Sequence, residues 1–162
     1  LEFPHIIDKL ILESTAFGYK SSEEKKNRLQ KDYILTEKMK MNYELFLHEW
    51  NQHPLFKCQR QRNEVAWKNQ NLVRQQQNHE QVSHALIQLG QGQMPDFLPM
   101  LESLKNSIQL ITGGEDEKYC TIAQTAVSNY PHIKWEIIQN AGHNAHLEQP
   151  QQFVKILTQF MN

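Results

Sequence analysis

Two different patterns of apolar and polar residues divide this chain. Residues 9–13 (Lys-Leu-Ile-Leu-Glu) are a short apolar run after Asp8, of the length and bounds of a buried strand. Residues 14–20, which include Gly18, read as a loop. Ser21 followed three residues later by Glu24 spells a capping box, in which hydroxyl and carboxylate satisfy each other's free backbone donors. A charged helix should follow to about Met39. Shorter helical patterns continue over 42–51, 63–77 and 80–89, so the stretch up to residue 106 is mostly helical and polar. No internal repeat is visible.

The pattern then changes. Residues 107–112 read as a strand ended by Gly113-Gly114, 117–129 as a helix and 133–138 as another strand. A loop over 139–142 leads to His143, and Pro150, a good first-turn residue, opens a last helix running to Met161. Strand–helix–strand–helix with short links predicts an α/β fold of parallel strands with crossover helices. Chemistry in such sheets sits at the C-terminal ends of the strands. Asp116 and His143 both fall just past a predicted strand end.

Composition narrows the class. A chain of 162 residues can enclose one real core, but 39% apolar residues and a mean hydropathy of −0.68 are low for tight packing. The surplus polarity is glutamine and asparagine concentrated over 51–93. Seventeen basic and eighteen acidic residues leave a net charge of −1, so no bulk field draws the chain to nucleic acid or a membrane. Cys58 and Cys120 make no disulfide framework and point to a reducing compartment. No run of 18 apolar residues exists, and residues 1–20 lack the features of a signal peptide. The expectation is a cytoplasmic protein.

Asp116 and His143 carry the candidate chemistry. In a catalytic triad, histidine takes a proton from a nucleophile while a carboxylate fixes its tautomer and steadies the imidazolium. Their spacing is what one helix plus one strand requires. The plain alternatives are a helix N-cap for Asp116 and an ordinary loop residue for His143. A metal site at His143, His146 and Glu148 is disfavoured, because no second cluster with ligand spacing accompanies it. No metal and no cofactor is expected.

The segment Ala141-Gly142-His143-Asn144-Ala145-His146-Leu147-Glu148-Gln149-Pro150 resembles the catalytic-histidine segment of α/β-hydrolases. Its inner Asn144-Ala145-His146 is similar to one branch, the 2-succinyl-6-hydroxy-2,4-cyclohexadiene-1-carboxylate synthases of menaquinone biosynthesis. Asp116-Glu117-Lys118-Tyr119 matches an Asp-x-Lys-aromatic segment of that family. Trp50-Asn51-Gln52-His53-Pro54-Leu55-Phe56 resembles its Trp-x-x-Gln-Pro-x-Phe segment, differing at His53. Met94-Pro95-Asp96-Phe97 resembles its Gln-Pro-Asp-Leu segment, and Glu13 follows the first strand as in the family. The resemblance runs from about Lys9 to the end. It implies the C-terminal portion of an α/β-hydrolase domain over 1–162, with a helical cap over 20–95 covering the site.

The same resemblance implies roles for three further residues. Arg28 and Arg74 fall where the family has arginines that bind substrate carboxylates, a task that suits a guanidinium able to make two parallel bonds. On their own they read as surface residues of polar helices. Trp50 lines the pocket in this reading, although a tryptophan on an amphipathic helix is more often core. The implied activity is elimination of pyruvate from a succinylated cyclohexene dicarboxylate, a small anionic substrate, with a serine and His143 acting as base on a carbon acid.

Two departures bear on that reading. Gly113-Gly114 stands where the family has Gly-Glu, which leaves the turn before Asp116 less certain. More seriously, no Gly-x-Ser-x-Gly elbow occurs in the chain, and Glu13-Ser14-Thr15-Ala16-Phe17 lacks its glycines. The expectation is therefore the C-terminal part of a longer enzyme, inactive alone and prone to self-association through an exposed sheet edge. Two other functions remain open at this point. One is a carboxylesterase of the same fold, since fold and triad do not choose the reaction; the other is a non-catalytic remnant.

Overall fold

The computed structural model describes residues 6–104 and 107–162. Residues 105–106, at the end of the polar stretch, lie outside the described residues. In chain order the elements are β1 (Lys9–Glu13), α1 (Ser22–Met41), α2 (Tyr43–Asn51), a 3-10 turn (Pro54–Phe56), α3 (Lys57–Arg62) and α4 (Glu64–Gln75). There follow α5 (His79–Leu89), α6 (Met100–Ser103), β2 (Ser107–Gly113), α7 (Glu117–Asn129), β3 (Lys134–Ile138), α8 (Ala145–Glu148) and α9 (Pro150–Met161). They form two compact units. The first holds Leu1–Ala16, Pro54–Trp67 and Pro99–Asn162; the second holds Phe17–His53 and Lys68–Leu98.

The first unit is built on a parallel sheet in the order β1-β2-β3. Leu12 pairs with Leu110, and Leu110 with Trp135, in successive registers. As the middle strand, β2 has both faces covered and so reads as an almost unbroken buried run, from Ile108 to Gly113. On one side Ile111, Ile138, Ala141 and Ala145 are wholly buried, with Ile11 and the α9 residues Phe153, Ile156 and Leu157 packed against them. Truncating Ile111 to alanine in such a core costs about 2–5 kcal/mol. As expected from sequence, Pro150 opens α9 in its first turn, where a missing N–H is lost anyway.

Pro54–Trp67 falls in this unit although it lies inside the stretch 20–95 read from sequence as a cap. Its α3 packs on α8, and Asn63 donates to the carbonyl of Leu147 at 2.7 Å. The two short helices α3 and α8 were not anticipated, because four to six residues are too few to show a helical period.

The second unit is helical. The capping box forms: the Ser21 hydroxyl accepts from the backbones of Glu23 and Glu24 at 3.2 and 3.4 Å, and Glu24 returns a bond to Ser21. Asn42 ends α1 in an extended conformation and caps α2 by accepting from Leu45 at 2.9 Å. Asn78 caps α5 in the same way. Each such cap contributes about 1 kcal/mol. The apolar centre is Met39, Phe46 and Leu47, packed by Leu35, Tyr43, Trp50, Val82 and Leu86. Gly18, with a φ of +84°, lies against the Pro95 carbonyl, where any side chain would collide. Among the described residues no helix is long and apolar enough to cross a membrane.

Candidate active site

Asp116 and His143 are brought together at the C-terminal ends of β2 and β3. Nδ1 of His143 lies 2.7 Å from Oδ2 of Asp116, across 27 residues of sequence. With the carboxylate accepting, the proton sits on Nδ1 and leaves Nε2 as the basic nitrogen, the tautomer a general base needs. The Asp116 side chain is 4% exposed and that of His143 20%, so the pair is shielded while the imidazole keeps an open side. Tyr119 packs its ring on His143 with centroids 4.6 Å apart. Asp116 also caps α7, its Oδ1 accepting from Tyr119 N–H at 3.5 Å. The two readings of Asp116 are thus compatible: Oδ1 caps α7 and Oδ2 faces His143.

The turn before Asp116 is well fixed despite Gly113-Gly114. Gly114 N–H donates to Ile138, Glu115 N–H to Ala141 and Asp116 N–H to Gly113, at 2.9, 2.9 and 3.1 Å. Gly113 is needed because a side chain there would run into the carbonyls of Ala141 and Gly142. Gly114 has no such neighbour, its nearest contact being Ile137 at 3.4 Å, so a larger residue fits at that position.

The loop bearing His143 is held from several sides. Glu148 accepts Gly142 N–H at 2.7 Å, and Asn144 donates to Gln59 of α3 at 2.8 Å. His146 turns to a different carboxylate, with Nδ1 2.7 Å from Oε2 of Glu13. His143 and His146 therefore have separate partners, Asp116 and Glu13. Ser14 is no substitute nucleophile: it is 9% exposed, and its hydroxyl is buried without a hydrogen-bond partner.

A second polar cluster adjoins the loop and was missed from sequence. Cys58 donates its thiol to Glu115 at 3.1 Å, and Arg62 pairs with the same carboxylate. Burial pushes the Cys58 thiol up to about 11, helped by the bond to Glu115 and the nearby negative charges. The bonds from Cys58 and Arg62 hold Glu115 below the usual glutamate range. Glu148 moves the other way: burial raises it, and the backbone N–H groups of Gly142 and Asn144 offset only part of that. Only Glu148 left a trace in the sequence, as the acidic residue of the Gly-His…Glu-Pro segment.

The other three residues singled out from sequence belong to the helical unit. Arg28 bonds Asp32 at 2.8 Å through Nε and Gln91 at 2.7 Å through Nη1. Asp32 is wholly buried, so Arg28 is its counter-ion rather than a member of a solvated face. Arg74 is held by three amide oxygens, those of Gln70, Asn71 and Asn51, at 2.8 to 3.1 Å. Burial lowers its pKa from the ordinary arginine value. Trp50 stacks near Phe46 and lines a cavity of about 410 Å³ with Lys31, Lys38 and His53; neither arginine is among the lining residues.

Comparison with known proteins bears on this arrangement. No family model matches the chain. It is 31% identical to the "Putative 2-succinyl-6-hydroxy-2,4-cyclohexadiene-1-carboxylate synthase" of Bacillus subtilis (strain 168), over 99% of the chain and 59% of that protein. It is 30% identical to the synthase of the same name from Salmonella heidelberg (strain SL476), over 70% of the chain and 42% of the relative. Among solved structures it is similar to MenH from S. aureus, with a TM-score of 0.91 and 29% identity over 96% of the chain and 59% of that one. A thermophilic esterase from Thermogutta terrifontis gives a TM-score of 0.70 at 19% identity, over 94% of the chain and 55% of the esterase, a likeness of fold alone.

A parallel sheet with flanking helices, joined by a loop that brings a histidine to an aspartate, has the α/β-hydrolase fold, which the chain shares with these solved structures. Within it, the chain is homologous to the 2-succinyl-6-hydroxy-2,4-cyclohexadiene-1-carboxylate synthases, and spans 59% of the length of the Bacillus subtilis relative.

Proposed function

We propose that these residues serve a synthase that eliminates pyruvate from a succinylated cyclohexene dicarboxylate in menaquinone biosynthesis. The observation that carries the reading is the 2.7 Å contact between Asp116 Oδ2 and His143 Nδ1 in a chain homologous to such synthases. Asp116 fixes the ring with Nε2 as the basic nitrogen, and His143 acts as the base behind a serine that, as it gives up its own proton to His143, removes the proton from the acidic carbon. The serine is supplied by a segment outside these 162 residues, since the chain contains no Gly-x-Ser-x-Gly elbow. The proton passes from carbon through the serine to His143, the C–H electron pair forms a new ring C=C as the C–O bond breaks, and the departing pyruvate enolate takes a proton back from His143 at its methylene carbon and leaves as pyruvate. Arg28 and Arg74 bind substrate carboxylates, and Trp50 lines the substrate pocket. The helical segment of residues 20–95 is assigned the role of a cap, and the protein works in the cytoplasm.

The test is an assay of pyruvate release by the longer protein that carries these residues. Release that depends on His143 supports the reading. Hydrolysis of neutral esters without pyruvate release would favour a carboxylesterase, and neither activity would favour a non-catalytic role. The 162-residue chain assayed alone should release none.

A further inference from the structure

Glu13 ends β1, yet both of its carboxylate oxygens are committed to a residue 133 positions away. The backbone N–H of His146 donates to Oε1 at 2.9 Å, and Nδ1 of the same residue lies 2.7 Å from Oε2 and 2.9 Å from Oε1. The carboxylate thus holds one residue at two points, backbone and ring, which fixes its orientation as well as its position. Its own backbone is anchored in turn. Thr15 Oγ1 donates to the Glu13 carbonyl at 3.0 Å, and Ser14 N–H donates to Ile111 at 2.9 Å. Ser14 has a φ of +43°, so the chain bends sharply just after Glu13.

His146 stands three residues after His143, in the first turn of α8. Of the two residues between them, Asn144 is tied to Gln59 and Ala145 is wholly buried. A shift of His146 is therefore passed to His143 with little slack. Magnitudes decide what such a tether is for. The His146 side chain is 43% exposed and that of Glu13 20%, and contacts so open to solvent add little to global stability. A misplacement of about 1 Å at a reacting group, by contrast, costs about 100-fold in rate.

We infer that Glu13 is a positioning residue for His143: by clamping His146 to the end of β1, it sets the direction from which the His143 ring meets Asp116. The effect on turnover rests on the proposed function; the effect on the ring does not.

The experiment follows two N–H protons by NMR in the 162-residue chain. One is His143 Nδ1–H, bonded to Asp116; the other is Trp135 Nε1–H, which donates to Thr112 at 2.9 Å and reports the integrity of the sheet. In Glu13→Ala the His143 signal should be lost to exchange while that of Trp135 persists. Glu13→Gln, which keeps an acceptor, should restore it. A His143 signal unchanged in Glu13→Ala overturns the proposal. If both signals vanish, the sheet has come apart and His146→Ala decides. Loss of the His143 signal alone supports the clamp, whereas its retention, or loss of both signals again, overturns it. In the longer protein, Glu13→Ala should lower kcat with little change in KM, with Glu13→Gln recovering most of it. A ring that responds in a protein whose pyruvate release ignores His143→Ala would sink the proposed function and leave the clamp standing.

Discussion

Glu148 accepts the N–H of Gly142 at 2.7 Å with one carboxylate oxygen and keeps the other, Oε1, buried with no hydrogen-bond partner among the described residues. The residue closes the loop that carries His143, and does so with a group that burial makes hard to ionise. Its pKa is raised on folding, so between the ordinary glutamate range and the raised one the native state binds more protons than the unfolded chain. Glu148 therefore adds stability below its unfolded pKa, and that contribution is lost as pH rises through its folded pKa. In urea unfolding of wild type against Glu148→Gln, the difference should shift toward wild type as the solution is acidified through this window. A difference independent of pH would show that the carboxyl is not perturbed.

Removal of either partner of the dyad should abolish proton transfer while leaving substrate binding. In the longer protein, His143→Ala and Asp116→Asn are each expected to cut kcat by roughly 10⁴-fold, the scale seen when a triad loses its base or its tautomer control. KM should change little, because the loss lies in the transition state. His146→Ala should cost much less than His143→Ala. The reverse order in steady-state kinetics would mean that His146 is the base.

Arg28 and Arg74 require substitutions chosen with their protein partners in mind. Arg28→Ala strips the counter-ion from Asp32, which is wholly buried, and breaking such a pair costs about 3–5 kcal/mol, toward the lower end here because Arg28 is 26% exposed. Thermal unfolding should register that loss directly. Arg28→Lys keeps the charge but not the fork, and Arg74→Lys keeps charge among the amides of Gln70, Asn71 and Asn51. If both arginines clamp carboxylates, the lysine variants should lose about 10-fold or more in kcat/KM on the anionic substrate, near the 1.5–3 kcal/mol of a charged hydrogen bond. Hydrolysis of a small neutral ester should hardly change. Equal losses on both substrates would instead indicate a damaged fold.

Cys58 should be a slow thiol. With its ionisation pushed up to about 11, it is almost wholly protonated at neutral pH, and the thiolate is the nucleophile. Its rate of alkylation by iodoacetamide, followed by peptide mass spectrometry, should keep rising with pH until about 11. Glu115→Gln removes a negative neighbour and should move the profile to lower pH, though not fully, since burial is the larger cause. A profile centred on the ordinary cysteine value would contradict the Cys58–Glu115 bond and the partial burial of the thiol.

The secondary structure was legible where its signals are local. Ser21 and Glu24 announced α1 because a capping box is written in four consecutive residues, and Pro150 marked the start of α9 for the same reason. The strands β1, β2 and β3 appeared as apolar runs bounded by turns, within a residue of their observed ends. The short helices α3 and α8 gave no such signal. Asp116 and His143 stood out through their places after strand ends, whereas the Cys58–Glu115–Arg62 cluster did not. Glu115 lies 57 residues from Cys58 and 53 from Arg62, and nothing local marks any of the three.

By itself the sequence determined the strands, the longer helices, their alternation and the pair of residues able to do acid–base chemistry, because caps, periodicity and strand ends act over a few residues. Only the tertiary structure decided which oxygen of Asp116 meets His143 and which caps α7, that His146 answers to Glu13, and that Arg28 neutralises a buried Asp32. It also decided that Glu148 rises and Glu115 falls, though both are glutamates in polar segments. The physical reason is common to all of these. A side chain's partners and its loss of water are set by which segments the parallel sheet brings together, and that juxtaposition is written nowhere in the residues next to it in the chain.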